Sequence, residues 1–272
     1  MSEPARGRVL TTWGTKPVRV VAVTQSDPFF TAAFFEAFLE ERASDQLEVV
    51  EIALLRPFNE SKPALARRLL KLYGPVDFAR LLGRYVIAAV SDRVGRPRSV
   101  EAVAATHGVP VVRLSTINDA SYLRTLAARD VDVLLSVAAP EIFRRPALTA
   151  VPYVLNVHSG QLPQYRGMMP TFWALQNGDS RIVVTLHEMV ERLDAGRLIA
   201  EFPVDVGDGE SAWGVAARAK SVAGREVARL LAVIGTPGWP EPRPMPATRQ
   251  QYHGFPTWRD ARRLRAQGRR LL

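Results

Sequence analysis

The chain has 272 residues, 47% hydrophobic and 23% charged, with no cysteine and a net charge of +9. That length can bury a full core, no apolar run reaches the ~18 residues of a bilayer span, and without cysteine neither a disulfide nor a thiol acyl-enzyme can form. The opening MSEPARGRVLTTWGT lacks an apolar leader segment, so the expected location is the cytoplasm. Basic charge is concentrated in two stretches. Residues 56–99 hold ten Lys/Arg against three Asp/Glu, and residues 243–272 hold eight Arg against one Asp. Such stretches suit a solvated face, a phosphate-bearing ligand or RNA, in that order of preference.

Residues 1–16 read as a loose arm. Val18–Val23 (VRVVAV) predicts a first buried strand. Ser26 and Pro28 mark a helix start, and Phe30, Phe34, Phe35, Phe38 and Leu39 have helical spacing up to Arg42. No G-x-G-x-x-G follows the strand, so a dinucleotide site has no support. Leu47–Leu54 predicts a second strand, and this β-α-β opening predicts a parallel, doubly wound sheet. Residues 56–99 are long, basic and helical in pattern, with Leu69, Leu72, Tyr73, Leu81, Leu82, Tyr85, Val86 and Ile87 among the apolar positions. They read as a helical insertion, extra cover for the sheet in preference to a lid. Ser99–His107 predicts a short helix stopped at Gly108, Val109–Val112 a short strand, and Asn118–Arg129 a helix. Val131–Val137 (VDVLLSV) is apolar throughout most of its length, as a central parallel strand requires.

Residues 151–199 place polar groups where a packed core does not need them. Val154–His158 predicts a buried strand, and alternation puts Asn156 and His158 on one face. A break follows through Ser159-Gly160, Pro163 and Arg166-Gly167. Pro170–Leu175 starts a helix that stops at Asn177-Gly178-Asp179. Arg181–Glu188 has strand composition, and Glu191–Gly196 is a polar turn. An Asn, a His and Asp194 therefore stand at three element ends of one α/β unit, where catalytic groups tend to lie. These types suit acyl transfer between nitrogens. Asn156 is a donor for a developing oxyanion, His158 moves protons near neutral pH, and Asp194 orients it.

Asn156-Val157-His158, then Leu162-Pro163-Gln164-Tyr165-Arg166-Gly167, then Leu193-Asp194-Ala195-Gly196 resembles the signature of the folate-dependent formyltransferases. That family includes glycinamide ribonucleotide, methionyl-tRNA and sugar-nucleotide N-formyltransferases, and a hydrolytic formyltetrahydrofolate deformylase. The resemblance implies a Rossmann-type α/β core over residues 17–235, with the insertion at about 56–99. It implies 10-formyltetrahydrofolate as donor, and backbone contacts to the pterin ring from Ser136, Val137, Ala138, Ala139 and Pro140, with Leu193 on the cofactor side. It also implies an acceptor side formed by Gln161, Tyr165, Arg166 and Gly167. The implied reaction moves a formyl group to a primary amine of a small-molecule acceptor, and the basic stretches suit an anionic one. The hydrolase, and a methionyl-tRNA formyltransferase-like enzyme without the C-terminal barrel, remain the alternatives. A homodimer stays open, and no membrane partner is expected.

Ser211 predicts the cap of a helix running to about Ile234. Residues 236–249, rich in proline, read as a stiff linker, and residues 250–272 as a basic appendage with a helix after Pro256-Thr257. Each remaining polar candidate also has a plain reading. His187, beside Glu188, reads as a packed strand-end histidine ahead of a folate-pocket residue. His107 and His253 have no supporting neighbours, and Trp173 reads as core. Arg166 serves either an acceptor anion or the bracing of its own loop. No histidine and carboxylate stand at ligand spacing, so no metal is expected.

Overall fold

The computed structural model describes residues 16–25, 27, 30–42, 45–56, 62–95, 97–247 and 251–272. The N-terminal arm to residue 15 and the expected helix-start residues Ser26 and Pro28 lie outside them. In chain order the elements are β1 (Val18–Gln25), α1 (Thr31–Glu41), β2 (Leu47–Leu55), α2 (Lys62–Arg93), α3 (Val100–Thr106) and β3 (Val111–Leu114). Then come α4 (Ala120–Ala128), β4 (Val133–Val137), α5 (Arg145–Leu148), β5 (Tyr153–His158), β6 (Arg166–Gly167) and α6 (Pro170–Gln176). The chain continues with β7 (Arg181–Glu188), β8 (Leu198–Asp205), α7 (Ala212–Leu231), β9 (Tyr252–His253) and α8 (Trp258–Ala266).

Seven strands form one sheet in the order β3-β2-β1-β4-β5-β7-β8. The first five run parallel, while β7 and β8 add an antiparallel edge. This is the doubly wound, mostly parallel α/β sheet expected from the opening β-α-β pattern. Alternation divides the core into two layers. Val20, Ala22, Leu135, Leu155 and Val157 pack on the side of α1 and α7, and Val21, Val23, Leu134 and Val154 on the side of Leu123 and Leu126 of α4. Asn156 and His158 share the parity of Val154, which puts them on the second face, at the carboxyl end of β5.

Helix α1 begins at Thr31 with Phe30 as its cap residue and no side-chain cap. Its Phe34, Phe35 and Phe38 are fully buried, and α7 lies against it so closely that a Cβ on Gly224 would sit 2.3 Å from the Phe34 carbonyl. Ser99, Asp119, Ser211 and Thr257 cap α3, α4, α7 and α8 through their side chains. The helix expected from Asn118 starts two residues later because Asn118 is engaged elsewhere. Its amide donates to Glu141 and to the Ile142 carbonyl and accepts from the Arg144 N–H. The C-terminal helix stops short of the expected Leu271, ahead of Gly268 at φ +78°.

The insertion is one long helix, α2, broken at Gly74 (φ 75°, ψ 170°) before Pro75. Leu72, Tyr73 and Leu81 enter the main core, whereas Leu82, Val86, Ile87 and Val90 face outward. The helix leans on α8 and, through Arg84 over the Trp213 ring, on the start of α7. The proline-rich segment after α7 runs along β8, with Leu198 and Arg243 exchanging backbone hydrogen bonds of 2.7 and 2.8 Å. The residues expected as an appendage are built into the same core through Ala261, Leu264 and Leu271.

Candidate active site

Strands β5 and β7 bring three side chains to one spot. The antiparallel register pairs Asn156 with His187 and His158 with Thr185, so both histidines and the asparagine face the same way. The turn after β7 returns Asp194 to them. Gly196 permits this close return, since a Cβ there would lie 1.9 Å from the Glu188 carbonyl oxygen. Asp194 itself takes the left-handed conformation at φ +50°, which aspartate tolerates better than most residues. The chain between β5 and β6 is pinned at its start. Thr185 donates to the Gly160 carbonyl (2.8 Å), Thr171 donates to the Ser159 carbonyl (3.1 Å), and a Cβ on Gly160 would lie 2.4 Å from Pro170.

His158, His187 and Asp194 are 7%, 2% and 7% exposed, so their contacts are formed in a largely water-excluded setting. His158 Nε2 lies 2.6 Å from the Tyr165 carbonyl. A carbonyl only accepts, so Nε2 carries a hydrogen and Nδ1 is the nitrogen turned to Asp194 Oδ1 at 3.6 Å. His187 Nδ1 lies 2.7 Å from the Glu188 carbonyl and therefore donates to it, which leaves Nε2 as acceptor for the Asn156 amide at 3.0 Å. Burial, and then the neighbouring His158, lower the His187 pKa from 6.5 to about 4, which keeps the ring neutral and its Nε2 an acceptor. Asp194 accepts the Gly167 N–H at 3.1 Å through Oδ2, and its Oδ1 lies 3.8 Å from His187 Nε2.

Asn156, His158 and Asp194 thus come together, and His187 joins them. His187, expected as a packed strand-end residue, is packed at the end of β7 and also meets Asn156. The signal for more was its parity: in a hairpin edge paired to β5 it shares a face with Asn156. The acceptor-side residues divide differently. Tyr165 is 1% exposed, and its hydroxyl donates to Asp179 (2.7 Å), so only its backbone carbonyl serves the cluster. Burial and that bond push its phenol up to about 12. Arg166 turns inward and donates to the Leu193 carbonyl, which is the bracing geometry. Gly167, at φ +92°, makes its close approach to the His253 carbonyl, where a Cβ would lie 2.3 Å away. Gln161 is exposed and lines an open cleft with Gln164, Asp179, Arg181 and Glu201.

Ser136 and Val137 are buried within β4, and Ser136 stands in register with Asn156. Ala138, at φ +53° and exposed, turns the chain out of the sheet toward Ala139 and Pro140. Ile142 follows β4, and Val190 and Leu193 follow β7, as exposed apolar side chains on loops.

The formyl transferase family model matches residues 86–231, more than half of the chain. A glycinamide ribonucleotide transformylase 1 from Symbiobacterium toebii superposes with a TM-score of 0.55 at 16% identity, covering 82% of this chain and 89% of that one. A sugar N-formyltransferase from a Shewanella species gives 0.56 at 14% identity, with 91% and 86% covered. An N-formyltransferase from Helicobacter canadensis, solved with folinic acid and dTDP-3-aminofucose, gives 0.52 at 13% identity, with 87% and 70% covered. At these identities the superpositions carry the fold, and the family match carries the kind of chemistry: the chain belongs to the formyl transferase family, whose enzymes move formyl groups.

Proposed function

We propose that this protein transfers the formyl group of 10-formyltetrahydrofolate to a primary amine of a small-molecule acceptor, with Asn156, His158 and Asp194 as the catalytic cluster. The observation that carries this reading is the proton arrangement of that cluster. When bound, 10-formyltetrahydrofolate supplies an electrophilic formyl carbon and a nitrogen leaving group. Asn156 commits one amide hydrogen to His187 and keeps a second for the developing oxyanion. His158 holds Nε2–H on the Tyr165 carbonyl and exchanges a proton at Nδ1, beside Asp194. Asp194 compensates the positive charge that His158 gains on taking up the amine proton, which His158 then gives to the departing folate nitrogen. Its 3.6 Å separation is too long for a hydrogen bond and leaves a charge–charge contact, or room for a bridging water. The loops bearing Ala138–Pro140 and Leu193 form the folate side. The fold neighbours solved with dTDP and with dTDP-3-aminofucose support an amine on an anionic small molecule as acceptor.

The test follows tetrahydrofolate release from 10-formyltetrahydrofolate, without acceptor and then against a panel of amines. Release that requires an amine supports the transferase. Release into water alone replaces it with a hydrolase.

A further inference from the structure

The two-residue strand β6 has two working edges. On one edge the Tyr165 carbonyl accepts from His158 Nε2 (2.6 Å), the Gly167 N–H donates to Asp194 Oδ2 (3.1 Å), and the Arg166 guanidinium donates to the carbonyl of Leu193, next to Asp194. On the other edge the Arg166 N–H donates to the Gln251 carbonyl (3.1 Å) and the Met168 N–H to the His253 carbonyl (2.8 Å). The strand that holds both His158 and Asp194 is thus itself held by β9, far along the chain. A two-residue ladder is too short to fix a loop unaided.

The His253 side chain supplies the rest. Its ring is sandwiched between Trp173 (4.8 Å, 25°) and Tyr165 (5.8 Å, 30°), is 6% exposed, and hydrogen-bonds to the Gln164 backbone. Trp173 Nε1 in turn donates to the Gly254 carbonyl at 3.1 Å. His253 Nε2 has no hydrogen-bond partner among the described residues, so the ring is held by its stacked faces and by its one bond to the Gln164 backbone.

We propose that the C-terminal strand, with His253 as its positioning residue, is a strap that sets His158 and Asp194 for formyl transfer through the backbone of Tyr165–Gly167. This rests on the reading of those two side chains as catalytic. The strap touches the donor side only where the Arg166 side chain meets the Leu193 carbonyl, whereas His253 supports the backbone that holds His158 and Asp194, so its loss falls on kcat far more than on KM.

The experiment compares His253→Leu, which fills similar space without a π-face, and His253→Phe, which keeps the stack, in the full-length protein. For His253→Leu, kcat should fall about 10- to 100-fold, with KM for folate and amine within about twofold of wild type. His253→Phe should recover kcat to within about threefold. Should His253→Leu not fold, His253→Met makes the same comparison with a flexible chain. A folded Leu or Met variant with wild-type kcat overturns the strap, as does a Phe variant no better than Leu. A wild-type protein without amine-dependent release overturns the proposed function instead, so the two failures are told apart.

Discussion

Asn156 has two amide hydrogens, and the partner of the first fixes the direction of the second. His187 is that partner, and only its neutral form can accept. Asn156→Ala should lower kcat by about 10²–10³-fold, the usual cost of one oxyanion donor, with folate binding by calorimetry unchanged. His187→Phe should lower kcat too, on the order of tenfold, because the amide is then free to rotate. A fully active His187→Phe enzyme would show that His187 is only packing. The Asn-x-His pair was legible because strand alternation places side chains two apart on one face. Asp194 was legible through the motif it belongs to. His187 and His253 were not, since each acquires its partners from β5 or from the loop around Tyr165, and no local spacing announces a contact that the topology makes. Arg166 left two readings open in the sequence, and its burial against Leu193 supports the brace.

The elements around the site depend on places where two backbones nearly touch. The turn that returns Asp194 passes over β7 at Gly196, and α7 passes over α1 at Gly224, where an added Cβ would meet a carbonyl oxygen at 1.9 and 2.3 Å. Gly224→Val should destabilise by roughly 1–3 kcal/mol, as overpacking does, and should leave the kcat of the folded fraction intact. Gly196→Ala should lower kcat as well as stability, because the displaced turn carries Asp194. Urea melts combined with kcat per folded molecule separate the two outcomes, and equal kcat losses in both variants would contradict the assignment of Asp194. The strands and capped helices of this unit were largely legible from periodicity and cap residues. The join of β9 to β6 was not, because it is a pairing across the chain.

Across the described residues of the whole molecule, burial lowers the pKa of His253 as well as of two basic groups, His187 and Lys220, that shape the response to pH. His187 is held below its ordinary 6.5, to about 4, and Lys220 on α7 is held below its ordinary 10.5, to about 8, by burial opposed by Asp27. In both cases the unfolded chain binds the proton more tightly, so stability rises with pH across each interval. The His187 contribution is complete above pH 6.5 and is lost as pH falls toward 4. The Lys220 contribution grows between about pH 8 and 10.5. Lys220→Met should flatten the upper limb and His187→Phe the lower one in urea denaturation at stepped pH. An unchanged profile in either variant would count against that group's burial as the cause. At this scale the basic charge of the α2 stretch and of the C-terminal stretch was plain from sequence, but the use of the latter was not. Its apolar residues Ala261, Leu264 and Leu271 are interspersed with arginines such as Arg262, Arg263, Arg265 and Arg270, and only the fold shows that they complete the core.

In the proposed reaction the Asn-His-Asp cluster moves a formyl group from a reduced folate to an amine. The decisive assay is amine-dependent release of tetrahydrofolate from 10-formyltetrahydrofolate by the wild-type protein, beside Asn156→Ala and His158→Ala. Release should need the amine and should fall by at least about 10²-fold in both variants. Wild-type turnover in both variants, or no release together with no folate binding, would contradict the assignment.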